Sequence, residues 1–213
     1  MTILGIDAGL GSLSAALFEN GRAGASQELP GKVALEGGMR AISDILGGRR
    51  ADRIGVGIGP GSFTGVRIAI SYAKALALGW NVPLCGISTF DALECGLDAG
   101  GRPLLTVVRG REGVISVRLR TNAGERRASG YIRDVFETLQ PELPPALLLT
   151  GNGAEDVRAA LGERAIDVTT LPRAVEPAAL AIAMLAAQRD PAASLHEVRA
   201  DYGELPAVSV PKK

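Results

Sequence analysis

Residues Ile54 to Gly79, IGVGIGPGSFTGVRIAISYAKALALG, constrain the fold more than any other part of the chain. The stretch opens with Ile54, Val56 and Ile58 separated by glycines, the pattern of a buried strand with something packed close to its backbone. Gly59-Pro60-Gly61 then makes a tight turn, because glycine accepts backbone angles that other residues avoid. Ser62 is placed to cap the helix that follows. From Phe63 to Leu78 nearly every position is apolar or small. The main exceptions, Arg67, Ser71 and Lys74, are spaced by four and three and form one polar stripe. A helix apolar over most of its circumference needs cover on more than one side. One face is expected to pack on a sheet and another against a second helix or a partner chain.

The rest of the chain reads as an alternation of strands and helices. Residues 2–8 form a buried strand ending near Asp7. Residues 12–18 form a second, reached through the glycine-rich turn from Ala8 to Gly11. Asn20-Gly21 marks a two-residue hairpin into a third strand over 23–29. A helix is expected over 32–46, with Val33, Met39, Ile42, Ile45 and Leu46 on its apolar side and Gly37-Gly38 weakening its middle. A strand over 82–87 leads to Ser88 and Asp91, spaced as a capping box for a short helix ending near Cys95. The loop Asp98 to Arg102 is the expected lobe boundary, giving an N-terminal lobe over 1–98, a C-terminal lobe over 99–207 and a flexible tail over 208–213. In the second half, strands are expected over 104–108, 114–119 and 146–150, and helices over 132–139, from 153 to about 161, and over 177–188. Residues 121–127 read as a polar turn. No period of 20 to 50 residues repeats.

Composition narrows the function classes. The 213 residues carry 23 Lys and Arg against 23 Asp and Glu, so no global basic field exists to hold nucleic acid. Only one histidine, His196, is present, with two cysteines, Cys85 and Cys95. Histidine-dependent catalysis and the usual zinc or iron sites are therefore disfavoured, and both thiols are expected reduced. No basic-then-apolar leader and no run of eighteen apolar residues stands out, so a cytoplasmic chain without a membrane span is expected.

The strand–hairpin–strand–helix–strand opening fits the ribonuclease H-like fold shared by actin-like ATPases. The phrases GPGSFTGVRIAISYAKALAL and ILGIDAG resemble the bacterial TsaB (YeaZ) family from about Ile3 to Phe90. That resemblance implies an α/β chain of the actin-like ATPase (ASKHA) fold, two lobes with mixed sheets flanked by helices. It implies a non-catalytic subunit that supports a TsaD-like enzyme in threonylcarbamoyl transfer to adenosine 37 of ANN-decoding tRNA. A TsaE-like ATPase would join the assembly, and tRNA would be met only indirectly. No cofactor would be required, though weak adenine-nucleotide binding is compatible with the fold. The sequence departs from the family where a His-Ser or His-Thr pair and a Leu-Pro are usual in the first helix. It departs again at Arg109, where the family has aspartate, and at Val114-Ile115-Ser116, where the family has Glu-Val-Tyr.

The resemblance implies that the helices holding Met39 and Ile42, and Val66, Arg67, Ala69, Ile70, Ala73, Lys74 and Ala77, meet TsaD or a second copy of the chain. For Arg67, Ser71 and Lys74 a solvated face is the competing reading. Asp7, Ala8 and Gly9, together with Gly59, Gly61 and Ser62, form a second candidate set. Asp7 either accepts hydrogen bonds from its own turn or keeps a vestigial nucleotide contact. A catalytic Mg²⁺ site would need a second carboxylate that the sequence does not reveal. That last possibility defines the alternative function, an ATPase or phosphotransferase using Asp7 and Mg-ATP. The Gly59–Ser62 turn either packs strand on helix or binds an anion at the helix start. A peptidase, suggested by an old name of the wider family, lacks metal ligands and a paired nucleophile.

Overall fold

The computed structural model describes residues 1–203; the tail expected over 208–213 lies outside the described residues. The chain begins with β1 (Thr2–Asp7), β2 (Ser12–Glu19) and β3 (Arg22–Pro30), which pair antiparallel in that order. After α1 (Ala34–Leu46), β4 (Arg53–Gly57) inserts parallel to β1. After α2 (Phe63–Trp80), β5 (Leu84–Ile87) adds parallel to β4. The first sheet therefore runs β3-β2-β1-β4-β5.

A short α3 (Thr89–Glu94) leads to β6 (Leu104–Arg109), β7 (Val114–Thr121) and β8 (Gly124–Tyr131), again antiparallel. Helix α4 (Ile132–Leu139) precedes β9 (Ala146–Thr150), which lies parallel to β6. Helix α5 (Ala154–Gly162) precedes β10 (Asp167–Thr170), parallel to β9. The second sheet, β10-β9-β6-β7-β8, thus repeats the topology of the first although no sequence repeat is visible. Two mixed sheets flanked by helices are the architecture expected from the sequence.

The last helix, α6 (Ala178–Gln188), does not belong with the second half, where the boundary at 98/99 had grouped it. It crosses the first sheet, with Ala181, Ile182, Ala183 and Ala186 packed against Ile3, Cys85 and Ile87. Two of the glycines between apolar residues in the strands, Gly5 and Gly55, make room for this helix. A Cβ at Gly5 would sit 1.9 Å from the Ala179 carbonyl oxygen, and one at Gly55 would sit 2.8 Å from Ala186 Cβ. The following segment returns to the same lobe: the Ala192 N–H donates to the Leu84 carbonyl, and Val198 is buried in the core around β1.

Three local expectations change. Only the centre of the 121–127 turn is a turn, because β8 starts at Gly124. Its Glu125, Arg126 and Arg127 are exposed, so an edge strand with one open side has the composition of a loop. Helix α1 starts at Ala34 after a 3-10 turn, and its buried side is Ala34, Gly38, Ala41, Ile42, Ile45 and Leu46, leaving Val33 and Met39 exposed. Gly38 is needed for close approach, since a Cβ there would meet the Tyr72 ring at 2.5 Å. The capping box is only half made: Ser88 Oγ accepts from Phe90 N–H, while Asp91 turns away to two arginines.

Candidate partner-binding face and interlobe cleft

Helix α2 starts where two backbone turns interlock. Ser62 Oγ accepts from the Gly65 N–H at 3.3 Å, the expected cap. The Ser62 N–H itself donates to the Gly9 carbonyl at 2.8 Å, and the Thr89 N–H donates to the Gly59 carbonyl. Cβ atoms at Gly61 and Gly65 would lie 2.3 Å from the Gly9 oxygen and 1.8 Å from the Ala8 oxygen. Two carbonyl oxygens therefore occupy the space over the helix start, which opposes an anion there and favours the packing role of the turn. Asp7, Ala8, Gly9, Gly59, Gly61 and Ser62 are brought together, the two turns joined by the Ser62–Gly9 backbone hydrogen bond and by close packing of Gly61 and Gly65 on the Gly9 and Ala8 carbonyls.

Asp7 is buried. Its Oδ2 accepts from the Gly9 N–H at 3.1 Å, while Oδ1 lies against Gly57 without a hydrogen-bond partner among the described residues. Burial pushes its carboxyl up to about 6, against the lowering influence of the Gly9 and Leu10 N–H groups. Asp7 lies in the wall of a cleft of about 410 Å³ between the sheets, with Ser12, Glu28, Asn152, Arg173 and Glu176. Arg173 is already paired with Glu176 at 2.7 Å, and Glu28 with Ser12. The donor set does not fit a magnesium–triphosphate centre. Carboxylates outnumber the one guanidinium in the cleft, the free Asp7 oxygen faces a glycine Cα, and no three His, Cys, Asp or Glu cluster as metal ligands among the described residues. Arg109, at the position where the family has aspartate, is held by Asp156 at 2.6 Å.

The candidate interface residues divide into two sets. Val66, Ala69, Ile70, Ala73 and Ala77 of α2, and Ile42 of α1, are buried in the chain's own core, where they pack on β1, β4 and neighbouring elements. They belong to the core and not to the expected interface: small residues at this spacing serve the close approach of α2 to its own sheet. Arg67, Met39 and, in part, Lys74 reach the surface. The apolar residues on that surface are others. Leu35 is 68% exposed, Phe63 54% and Leu78 75%, and a groove of about 240 Å³ runs between α1 and α2, lined by Leu35, Phe63, Ile68 and Tyr72. Tyr72 ties the helices by donating its hydroxyl to the Leu35 carbonyl at 2.6 Å and lies close to that of Ala34. Arg67 stacks over Phe63 at 5.2 Å. The signal available in the sequence was the pair of large apolar residues, Phe63 and Leu78, lying off the stripe of small ones.

Two repeats of one mixed sheet around a cleft define the class: an actin-like ATPase fold. Solved structures agree. A YeaZ structure from Pseudomonas aeruginosa matches with a TM-score of 0.70 at 21% identity, over 94% of this chain and 99% of that one. A ROK hexokinase from Thermus thermophilus matches with a TM-score of 0.52 at 16% identity, over 88% and 99%. The family model described as TsaD, tRNA N6-adenosine threonylcarbamoyltransferase, matches residues 46–201, and the chain belongs to that family. Within it the TsaB resemblance holds. The chain is 39% identical over 101 residues to the tRNA threonylcarbamoyladenosine biosynthesis protein TsaB of Escherichia coli, covering 45% of this chain and 44% of that protein. It is 33% identical over 98 residues to the TsaB of Haemophilus influenzae, covering 44% and 42%. These matches span less than half the length of the curated relatives.

Proposed function

We propose that this chain is a non-catalytic subunit in threonylcarbamoyladenosine formation on tRNA. In this reading it binds a TsaD-like catalytic partner through the outer face of α1 and α2, and the isolated chain is inactive. The observation that carries the reading is the exposed apolar groove of Leu35, Phe63, Ile68 and Tyr72, in a chain whose cleft is poorly suited to phosphate chemistry. Membership of the family and the TsaB relatives support the pathway. The balanced charge supports contact with tRNA through other subunits, a TsaE-like ATPase among them. A cytoplasmic site of action follows from that partner set. No helix among the described residues is long and apolar enough to cross a membrane.

Sedimentation of the chain alone and mixed with the TsaD-like subunit of the same organism tests this, using Phe63→Arg and Leu78→Arg. A one-to-one complex lost in both variants, with unchanged melting, supports the reading. Self-association through the same residues without the heteromeric complex would move the interface to a homodimer. No complex, with Asp7-dependent turnover of Mg-ATP by the chain alone, would replace the reading with the ATPase alternative.

A further inference from the structure

The segment after Val198 runs from the Gly59-Pro60-Gly61 turn at the start of α2 to the second sheet. The Asp201 N–H donates to the Ile58 carbonyl at 2.7 Å, and Gly59, at φ +99°, leaves room for the Asp201 carbonyl, which a Cβ there would meet at 2.1 Å. Gly203, at φ +70°, lies against the second sheet: a Cβ would fall 2.5 Å from Ser116 Oγ and 2.9 Å from Ser129 Oγ. Between them, Tyr202 stacks on Phe63 with ring centroids 4.8 Å apart and planes inclined by 33°. Tyr202 stays 40% exposed.

We infer that this strap, residues 198–203, is part of the partner face: Tyr202 completes the apolar surface around Phe63, and the strap makes that surface depend on the position of the second sheet. The inference rests on the proposed function of the α1–α2 face. The argument is physical. A stacked aromatic pair that served only the fold would be covered, yet both rings remain more than a third open. Tyrosine presents a large, rigid area with few rotamers to lose, which is why it recurs at interface centres. The strap's anchors are backbone bonds and glycines that only fit when the Gly59-Pro60-Gly61 turn and the β7–β8 hydroxyls keep their present spacing. A shift between the sheets would therefore lift Tyr202 from Phe63 and remove part of the face.

The test measures the affinity of the full chain for the TsaD-like subunit in Tyr202→Ala, Tyr202→Phe, Gly203→Val and Phe63→Arg, with melting recorded for each. Expected are binding about tenfold weaker for Tyr202→Ala, near-normal binding for Tyr202→Phe, and weakening for Gly203→Val, whose side chain collides with Ser116 and Ser129. Melting should stay unchanged for both Tyr202 variants. Wild-type affinity in Tyr202→Ala alongside loss in Phe63→Arg would overturn the strap's role and leave the face intact. Wild-type affinity in Phe63→Arg as well would overturn the face, and the strap's role with it.

Discussion

Arg118 of β7 and Glu94 at the end of α3 form a buried double hydrogen bond between the second sheet and the helix that leads into it, Nε to Oε1 and Nη2 to Oε2, each at 2.9 Å. Both side chains are almost fully enclosed, at 4% and 6% exposure. Thr106 and Arg120 also donate to Glu94, Asp91 takes Arg118 and Arg189, and Arg118 stacks on Phe90. Removing Arg118 leaves the enclosed Glu94 with Thr106 and Arg120 alone, and Asp91 with Arg189 alone. Arg118→Ala is expected to lower unfolding free energy by about 3 to 5 kcal/mol, whereas Arg118→Met combined with Glu94→Leu should lose much less. Urea denaturation of the two proteins checks the difference.

Asp91 gives that latch an acid limit. Burial works against its charge, but the hydrogen bonds from Arg118 and Arg189 prevail and hold its carboxyl below the usual value. The folded value is thus lower than the unfolded one. The contribution is complete above the unfolded value of 3.8 and is lost as pH falls through the folded one. Asp91→Asn should remove this part of the acid sensitivity below pH 4, read as the melting temperature against pH.

Asp7 behaves with the opposite sign. Its folded value near 6 lies above the unfolded 3.8, so the folded state holds the proton more tightly. Stability from this group is full below 3.8 and declines as pH rises to about 6, by on the order of 3 kcal/mol. Asp7→Asn should flatten the melting curve between pH 4 and 6 and raise stability at pH 7.

Ala73→Arg serves as a fold control. Ala73 is completely buried on the inner face of α2, so an arginine there must overpack the core or drag its charge inside. Loss of the folded chain is expected by circular dichroism, whereas Leu78→Arg, on a residue three-quarters exposed, should melt like the parent.

Gly5→Val tests the seat of α6. The new side chain would run into the Ala179 and Ala183 backbones. A loss of about 3 kcal/mol is expected, with increased hydrogen exchange over 178–188.

Strong periodicity and turn chemistry made most elements legible: the Ser62 cap, the Asn20-Gly21 hairpin, α2 and the alternating strands all stand where residue patterns put them. The edge strands β8 and β10 were hidden because half-exposed edges carry polar residues. Apolarity told that α2 is covered on several sides but not which side was internal. Ala69, Ala73 and Ala77 look identical whether they meet a sheet or a partner; only the burial of Val66 beside them, and the exposure of Phe63 and Leu78, assigns the faces. The Arg118–Glu94 latch and the Tyr202–Phe63 stack link residues 24 and 139 positions apart, separations at which local pattern carries no information.

The placement of α6 has a consequence for biosynthesis. The strands that α6 covers precede it in the chain and leave the ribosome before their cover, residues 178–188. Ile3, Cys85 and Ile87 must therefore stand open while the whole second sheet is translated. A nascent chain that ends before Ala178 would expose this glycine-notched apolar surface to solvent, the kind of face through which incomplete chains aggregate.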